Sequence, residues 1–436
     1  MAIHVPSPYC LSRAGQCGFR VAEREWRKLF LSGKFMTRRS QNPTEFIGRP
    51  VWAEVSLSAL EHNLSAIRNY VNPAYEKRKT PRKVLCIVKG NAYGHGGAPT
   101  AKALEKFGSD WFGVASSVEG IEIRKVGVHT PILVLGGFWQ GEEELLIQHD
   151  LTPAIHRCEQ LLTFEASAAK LGKKNVGIHL KVDTGMNRLG IKPSDADCFA
   201  RQLAKCKHLE LTGVFTHFAS SEVLTDTPVG RQTQDQMDRF HATIDGLRSH
   251  GIDTGILHLA NSAAIAARPE TWADMVRPGA ILYGYHPGID PVERRKEIES
   301  KLPLRPVMSL RARIINVRSI PSGEGVGYDA SWVAQRPSRV AVLAAGYGDG
   351  IHRSLGNRGC VAVRGHFAPI IGIVSMDVVM LDVTDVPDVA IGDIATVYGT
   401  DGDRTYPANV IARSIGTVSS DLLCAVSQRV PRFYMP

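Results

Sequence analysis

Short hydrophobic runs recur along the chain from about residue 84, and between them lie stretches whose apolar positions fall at helical spacing. The runs 84–88, 111–115, 132–135, 153–155, 176–182, 211–216, 256–259 and 275–277 predict strands. Segments 98–107, 158–172, 194–206 and 234–249 carry the pattern of amphipathic helices. Eight strand-then-helix units between about residues 50 and 290 predict a (β/α)8 barrel, with a doubly wound parallel sheet as the alternative.

Past about residue 300 the texture changes. VMSLRARIINVRSI, SRVAVLAAGY, CVAVRG, PIIGIVSMDVVMLDV and DIATVYG are rich in Val and Ile and separated by Gly, Pro and Asp. They predict an antiparallel β-domain of about 130 residues. ERRKEIESKLP (293–303) reads as the linker region. The expected class is α/β: a basic, disordered extension over 1–49, a TIM-like (β/α)8 barrel over 50–297 and a mostly antiparallel β-domain over 298–436.

Charge changes this picture little. Seven Arg and two Lys against Glu23, Glu25 and Glu45 place +6 of the net +9 in residues 1–49. The body is close to neutral, which argues against nucleic acid as a partner. Residues 1–45 are expected to be poorly ordered; they faintly resemble a transit peptide, and Met36 is an alternative start. No apolar run reaches 18 residues, so no membrane-spanning helix is expected. The eight cysteines show no C-x-x-C and no zinc spacing, and read as reduced thiols of a cytoplasmic protein. There is no G-x-x-x-x-G-K-[ST] and no H-E-x-x-H, so neither a P-loop nor that type of metal site is supported.

The candidate chemistry lies at strand ends. Lys89 closes the first run, Lys181 the fifth, His217 follows the sixth, Asn261 and Ser262 the seventh, and Arg277 and Gly279 the eighth. In a barrel these positions share the C-terminal rim, where active sites are built. Ser262 offers a hydroxyl and Gly279 a closely approachable N–H, as a phosphate needs. A phosphate site facing a strand-end lysine suggests pyridoxal 5′-phosphate (PLP) held as a Schiff base by Lys89.

VLCIVKGNAYGHG (84–96) resembles the cofactor-lysine signature of the alanine racemase family, usually V-K-A-N-A-Y-G-H-G. KVDTGMNRLG, THFAS, HLANSAA, VRPGAILYG, GVGYDASW, AGYGDG and SMDVVMLDV follow in that family's order, and the resemblance spans roughly residues 50 to 434. It implies a PLP-dependent isomerase that interconverts L- and D-alanine, supplies D-alanine for peptidoglycan, and works as a cytoplasmic homodimer. A broad-specificity amino-acid racemase on the same scaffold is the nearest alternative. A decarboxylase of the same plan would want an acid at position 277, and a non-catalytic PLP-binding protein would lack Tyr328 and the β-domain.

The same resemblance implies roles residue by residue. Lys89 is similar to the Schiff-base lysine and base on one face of the cofactor, and Tyr328, from the partner subunit, to the acid/base on the other. Tyr93, Ser262, Gly279 and Asn261 match the phosphate contacts, Arg277 the partner of the pyridine nitrogen, His258 the residue behind that arginine, and His217 the residue under the ring. Arg188 and Met376 match the contacts to the substrate carboxylate, with Asp377 beside them. Lys181 matches a carbamylated lysine that sets the arginine's geometry. The chain departs from the family pattern at Gly90, usually alanine, at Asn187, usually glycine, and at Gln428, which replaces a phosphate-touching tyrosine before R-V-P-R. The last change bears on cofactor contact and substrate scope.

Overall fold

The structure, a computed structural model, describes residues 48–74, 76, 78–401 and 404–436. The expectation for residues 1–45 lies outside the described residues. The first elements of the described residues are β1 (Val51–Ser56) and the helix Leu57–Val71, which Ser56 caps by accepting the Ala59 N–H at 3.1 Å.

Eight parallel strands follow: β2 (Lys83–Ile87), β3 (Trp111–Val114), β4 (Ile132–Val134), β5 (Thr152–Ile155), β6 (Val176–Lys181), β7 (Leu209–Phe215), β8 (Ile256–His258) and β9 (Met275–Val276). Each matches a predicted run to within two residues. β2 pairs with β3 on one side and β9 on the other. The bonds Asp274 N–H to Leu257 O and Arg277 N–H to Ala260 O, both 3.0 Å, close the ring between β8 and β9. The runs are apolar throughout because both faces are covered. Leu85, Ile87, Leu133, Ala154, Phe215 and Met275 fill the barrel interior, while Val84 and Cys86 join the larger core shared with the helices.

The expected helices appear as Gly97–Lys106, Glu159–Lys170, Ala196–Leu203 (after the 3-10 turn Pro193–Asp195) and Pro228–Ser249. The last starts six residues before the position that periodicity indicated. Its start is set by a cap, with Thr227 Oγ1 accepting the Gly230 N–H at 3.1 Å and Pro228 in the first turn. The region 293–303 is largely helical, as part of Val292–Lys301.

The second sheet contains β10 (Met308–Ile320), β13 (Ser338–Leu343), β14 (Cys360–Val363), β15 (His366–Ile371), β16 (Val379–Asp382), β17 (Ile394–Asp401), β18 (Arg404–Tyr406) and β19 (Arg432–Met435). β11 (Gly325–Val326) and β12 (Trp332–Val333) form a separate small hairpin. Met308, Leu310, Ala312 and Ile314 alternate inward along β10, as a strand with one covered face requires. β10 pairs antiparallel with β13 and with β17, so the antiparallel pairing runs β10–β13–β16–β15–β14–β17 and returns to β10. β1 joins this sheet, antiparallel to β10 and parallel to β19. The stretch 51–56 thus belongs to the sheet of the β-domain although it precedes the barrel. Among the described residues no helix is long and apolar enough to cross a membrane.

Candidate active site

β2 ends at Ile87, and Lys89 opens a turn with unusual backbone. Gly90 (φ 63°), Asn91 (55°), Ala92 (53°) and Tyr93 (52°) are all left-handed, followed by Gly94 at 81° and Gly96 at 97°. Left-handed backbone costs an L-residue roughly 1–2 kcal/mol, so three consecutive non-glycine residues need outside support. Glu119 Oε1 accepts the Gly90 N–H at 2.7 Å and Asn91 Oδ1 accepts the Gly97 N–H at 2.6 Å. His95 lies within the fold, held down to about 4 by burial, so its ring is neutral. Its Nδ1 approaches the Ala92 and Tyr93 carbonyls at 2.8 and 3.0 Å, which makes Nδ1 the protonated nitrogen. The ring stacks on Tyr283, 4.4 Å between centroids, and Tyr283 in turn lies 4.9 Å from Tyr93.

The turn delivers both Lys89 and Tyr93 to one cavity of about 420 Å³ at the barrel rim. Lys181, Arg188, His217, Asn261, Ser262, Arg277 and Gly279 line the same cavity. Four of its lining side chains are cationic types and none is a carboxylate, so it is built for anions. One end is a cradle. Ser262 Oγ accepts the Gly279 N–H at 2.9 Å, and a Cβ on Gly279 would stand 2.5 Å from Tyr93 Oη and 3.6 Å from Ser262 Oγ. Burial pushes Tyr93 up to about 12, which keeps its hydroxyl a donor. Asn261 lines the cavity, but its Oδ1 is committed to the Ala264 N–H at 3.0 Å and the Ser221 hydroxyl at 2.9 Å.

Arg277 is anchored by five hydrogen bonds from its terminal nitrogens. Nη1 reaches His258 O (2.6 Å) and His258 Nδ1 (3.2 Å), and Nη2 reaches Thr216 O (2.7 Å), Leu259 O (2.9 Å) and His217 Nδ1 (3.3 Å). Burial and then the Arg277 charge hold His258 and His217 well below the usual imidazole range, so both rings are neutral acceptors. His258 Nε2 continues to His179 Nδ1 at 3.0 Å. Burial brings Arg277 down to about 9, still a cation at neutral pH. Among the described residues its Nε–H has no acceptor in these bonds, which leaves a donor for a ligand atom that carries a lone pair and no proton.

Lys181 is buried, and burial first, then the Arg188 charge, bring it to about 8. Burial and then Arg188 also lower Lys89 from its ordinary value. Asn187, beside Arg188, has φ 55°, and its amide N–H binds Asp183 Oδ1 at 2.9 Å. Asparagine tolerates that backbone better than other side-chain-bearing residues, which explains why it can stand where the family has glycine.

Four expected residues are not brought to this cavity within one chain. Tyr328, at the tip of the β11–β12 hairpin, is 67 % exposed, and Met376 is 53 % exposed. Asp377 Oδ1 pairs with Arg429 Nη2 at 2.9 Å. Gln428 is exposed and does not line the cavity. Sequence reasoning missed Arg429, which also donates to Asp349 Oδ1 (2.8 Å) and Met376 O (3.2 Å) and so braces the Met376–Asp377 loop. It also missed Glu119, His95, His179 and Arg432. The R-V-P-R string held a signal for two of these, because arginines in a string otherwise apolar need acceptors.

The residues present fit PLP. The hydroxyl–amide cradle suits a phosphate, Lys89 offers an amine with lowered proton affinity, and Arg277 Nε offers a donor to an unprotonated ring nitrogen. Comparison with known proteins identifies the family. Residues 55–287 match the family described as alanine racemase, N-terminal domain, and residues 307–434 match alanine racemase, C-terminal domain. The chain is 38% identical over 390 residues to the alanine racemase of Halothermothrix orenii, covering 89% of this chain and 97% of that one. It superposes on the alanine racemase of Clostridium difficile 630 with TM-score 0.80 at 32% identity, covering 89% and 97% of the two chains. The alanine racemase of Bacillus anthracis, solved with bound L-Ala-P, gives TM-score 0.78 at 30% identity over 90% and 96%. With both domains matched and the barrel-rim lysine in place, the chain belongs to the alanine racemase family.

Proposed function

We propose that this chain is a PLP-dependent isomerase that interconverts L-alanine and D-alanine. The observation that carries the reading is the cavity: Lys89, Lys181, Arg188 and Arg277 line it without a carboxylate, beside a cradle of Tyr93, Ser262 and Gly279. Buried cations call for anions, and a phosphate together with an amino-acid carboxylate meets that demand. Lys89 would hold PLP until the substrate amine takes its place, and the group would then supply an electron-withdrawing ring beside the substrate Cα–H while leaving Lys89 Nζ free.

The protein's own groups do the rest. Lys89 Nζ, its proton affinity lowered by burial and by Arg188, takes or returns the Cα proton on one face. Arg277 stays protonated, so it donates a hydrogen bond through Nε and passes on no proton. That limits charge withdrawal, which favours returning the proton to Cα over side reactions. Arg188 sits where it can hold the substrate carboxylate, and N-carboxylation of Lys181 would give Arg188 an anionic partner. His258 holds Arg277 from behind, and neutral His217 supports it at the cavity wall.

A base for the opposite face has to come from elsewhere. Tyr328 and Met376 are exposed on the β-domain, away from the cavity, and a second copy packed head to tail would bring them to it. We therefore assign Tyr328 Oη of the partner copy as the second acid/base, with the Met376 backbone N–H at the substrate carboxylate and Asp377 behind it, paired with Arg429. Cys86, Cys158, Cys198, Cys206, Cys360 and Cys424 are unpaired, which suits the cytoplasm, where D-alanine is used for peptidoglycan precursors. Chiral chromatography of L-alanine incubated with the purified protein and PLP tests the assignment. D-alanine should accumulate towards an equal mixture, and Lys89→Ala should make none. No D-alanine from the parent protein would sink the reading.

A further inference from the structure

The left-handed turn after Lys89 is gripped from two sides, and the second grip comes from far along the chain. The carbonyls of Gly94 and His95 accept from Arg432 Nε at 3.0 Å and Tyr434 Oη at 2.9 Å. Arg432 and Tyr434 are alternate residues of β19, so they share one face of that strand, which β1 fixes through the pairs Ala53–Arg432 and Val55–Tyr434. The approach is close. A Cβ on Gly94 would stand 2.0 Å from Leu423 O, and one on Gly96 would stand 1.9 Å from Tyr434 Oη. The two glycines of Y-G-H-G are thus docking points for the segment 423–434, in addition to supplying positive φ.

Arg432 does more than touch the turn. Its Nη1 donates to Ser427 O and Val430 O, and its Nη2 to Val426 O, each at 2.6 Å. One part-buried guanidinium therefore ties the loop that carries Gln428 and Arg429 to the turn that carries Lys89 and Tyr93. All four bonds go to backbone carbonyls, so they set the position of backbone without fixing the charge of any neighbour.

We propose that Arg432 and Tyr434 are positioning residues for Lys89 and Tyr93, forming a clasp that keeps the strained turn in its left-handed shape. The geometry of the clasp stands by itself, and its consequence for PLP rests on the function proposed above. Without the clasp, the turn relaxes towards ordinary backbone, Lys89 and Tyr93 leave their shared cavity, and the cofactor is held less well.

Tyr434→Phe removes one hydroxyl and keeps the ring, and Arg432→Lys keeps the charge and loses the planar fork. Hydrogen–deuterium exchange across residues 89–97 and the rate of PLP release into excess hydroxylamine read the clasp in the full-length protein. In Tyr434→Phe both should rise about fivefold, as loss of one hydrogen bond implies, and in Arg432→Lys by more. Exchange in β4–β7 should stay at parent values in Tyr434→Phe and the thermal midpoint should fall by no more than about 2 °C, which a general loss of structure would not allow. Unchanged exchange over 89–97 in Tyr434→Phe overturns the proposal, as does a rise spread evenly over the barrel. If Arg432→Lys does not fold, Tyr434→Phe decides alone. A parent protein that holds no PLP would count against the proposed function, while exchange over 89–97 would still judge the clasp.

Discussion

Lys181 and Arg277 stand over the same phenyl ring: Lys181 Nζ lies 5.6 Å and Arg277 Cζ 5.4 Å from the centroid of Phe215. The ring attracts both cations, but it cannot offset their mutual repulsion or their removal from water. The cavity floor is thus charged against itself until an anion arrives.

Lys181 should show this as a pH-dependent cost. Its folded value of about 8 is below the ordinary 10.5, so the unfolded chain keeps its proton to higher pH. Stability from this group therefore rises as pH goes from about 8 to 10.5, and the penalty is complete below 8. Lys181→Met should be more stable than the parent at pH 7 in CO2-free buffer, by ~1–3 kcal/mol, with the difference shrinking towards pH 10. Bicarbonate should stabilise the parent and leave Lys181→Met unaffected. Calorimetry between pH 7 and 10 measures both effects, and a constant difference between the two proteins would remove the argument.

Gly279→Ala should weaken PLP binding with little effect on the empty protein. The new methyl would stand 2.5 Å from Tyr93 Oη, so the hydroxyl must leave the cradle. A loss of about 10–100-fold in PLP affinity is expected, the equivalent of one or two good hydrogen bonds. Equilibrium dialysis measures it, and parent-like affinity would place the phosphate elsewhere.

Arg277→Glu should slow racemisation and divert part of the turnover to transamination, because a carboxyl group can share a proton with the ring nitrogen where a guanidinium cannot. The carbonyls of Thr216, His258 and Leu259 lose their donor as well, which should cost about 2–4 kcal/mol of stability. Pyruvate formed per D-alanine formed is the informative ratio. If it does not rise in a folded variant, the assignment of Arg277 fails.

Mixed chains should report the shared site. Lys89→Ala and Tyr328→Phe are each expected to be nearly inactive, whereas a hybrid dimer has one site with both groups intact. Activity should return on mixing and subunit exchange, to at most about half of the parent's specific activity in a pure hybrid. Hybrids confirmed by native mass spectrometry that stay inactive would show that Tyr328 does not act across chains.

Much of this was legible in the sequence, for identifiable reasons. The barrel strands are buried on both faces, so unbroken runs such as VLCI announced them. Lys89, Lys181, Ser262, Arg277 and Gly279 sit at strand ends, and a barrel gathers strand ends by construction. The left-handed shape of the turn after Lys89 was not legible, because Ala92 and Tyr93 carry no sign of left-handed backbone. Its support comes from Arg432 and Tyr434, more than 330 positions away, a distance no local pattern spans. Pairing of β10 with β17 was hidden for the same reason. Gln428 shows a different limit: a motif position gives a residue's identity, whereas its exposure depends on how Arg432 folds the carbonyls of 426–430 around itself.

The pairing of β1 with β19 also orders events during synthesis. Strands 51–56 and 432–435 lie side by side, so one edge of the first must wait while the ribosome makes everything between. Chains gain structure from the N-terminal side first, and contacts this far apart form slowly. The barrel strands from 83 to 276 can assemble, and β10 can pair with β1, while β19 is still untranslated. A nascent barrel would then have its reactive lysine on an unsecured turn, able to form adducts with stray aldehydes but poorly shaped for the right one. Placing the fastener of the lysine turn in the segment made late means that full cofactor loading follows translation of residue 434, so a prematurely terminated chain should emerge pale and leave the cell's PLP for complete molecules.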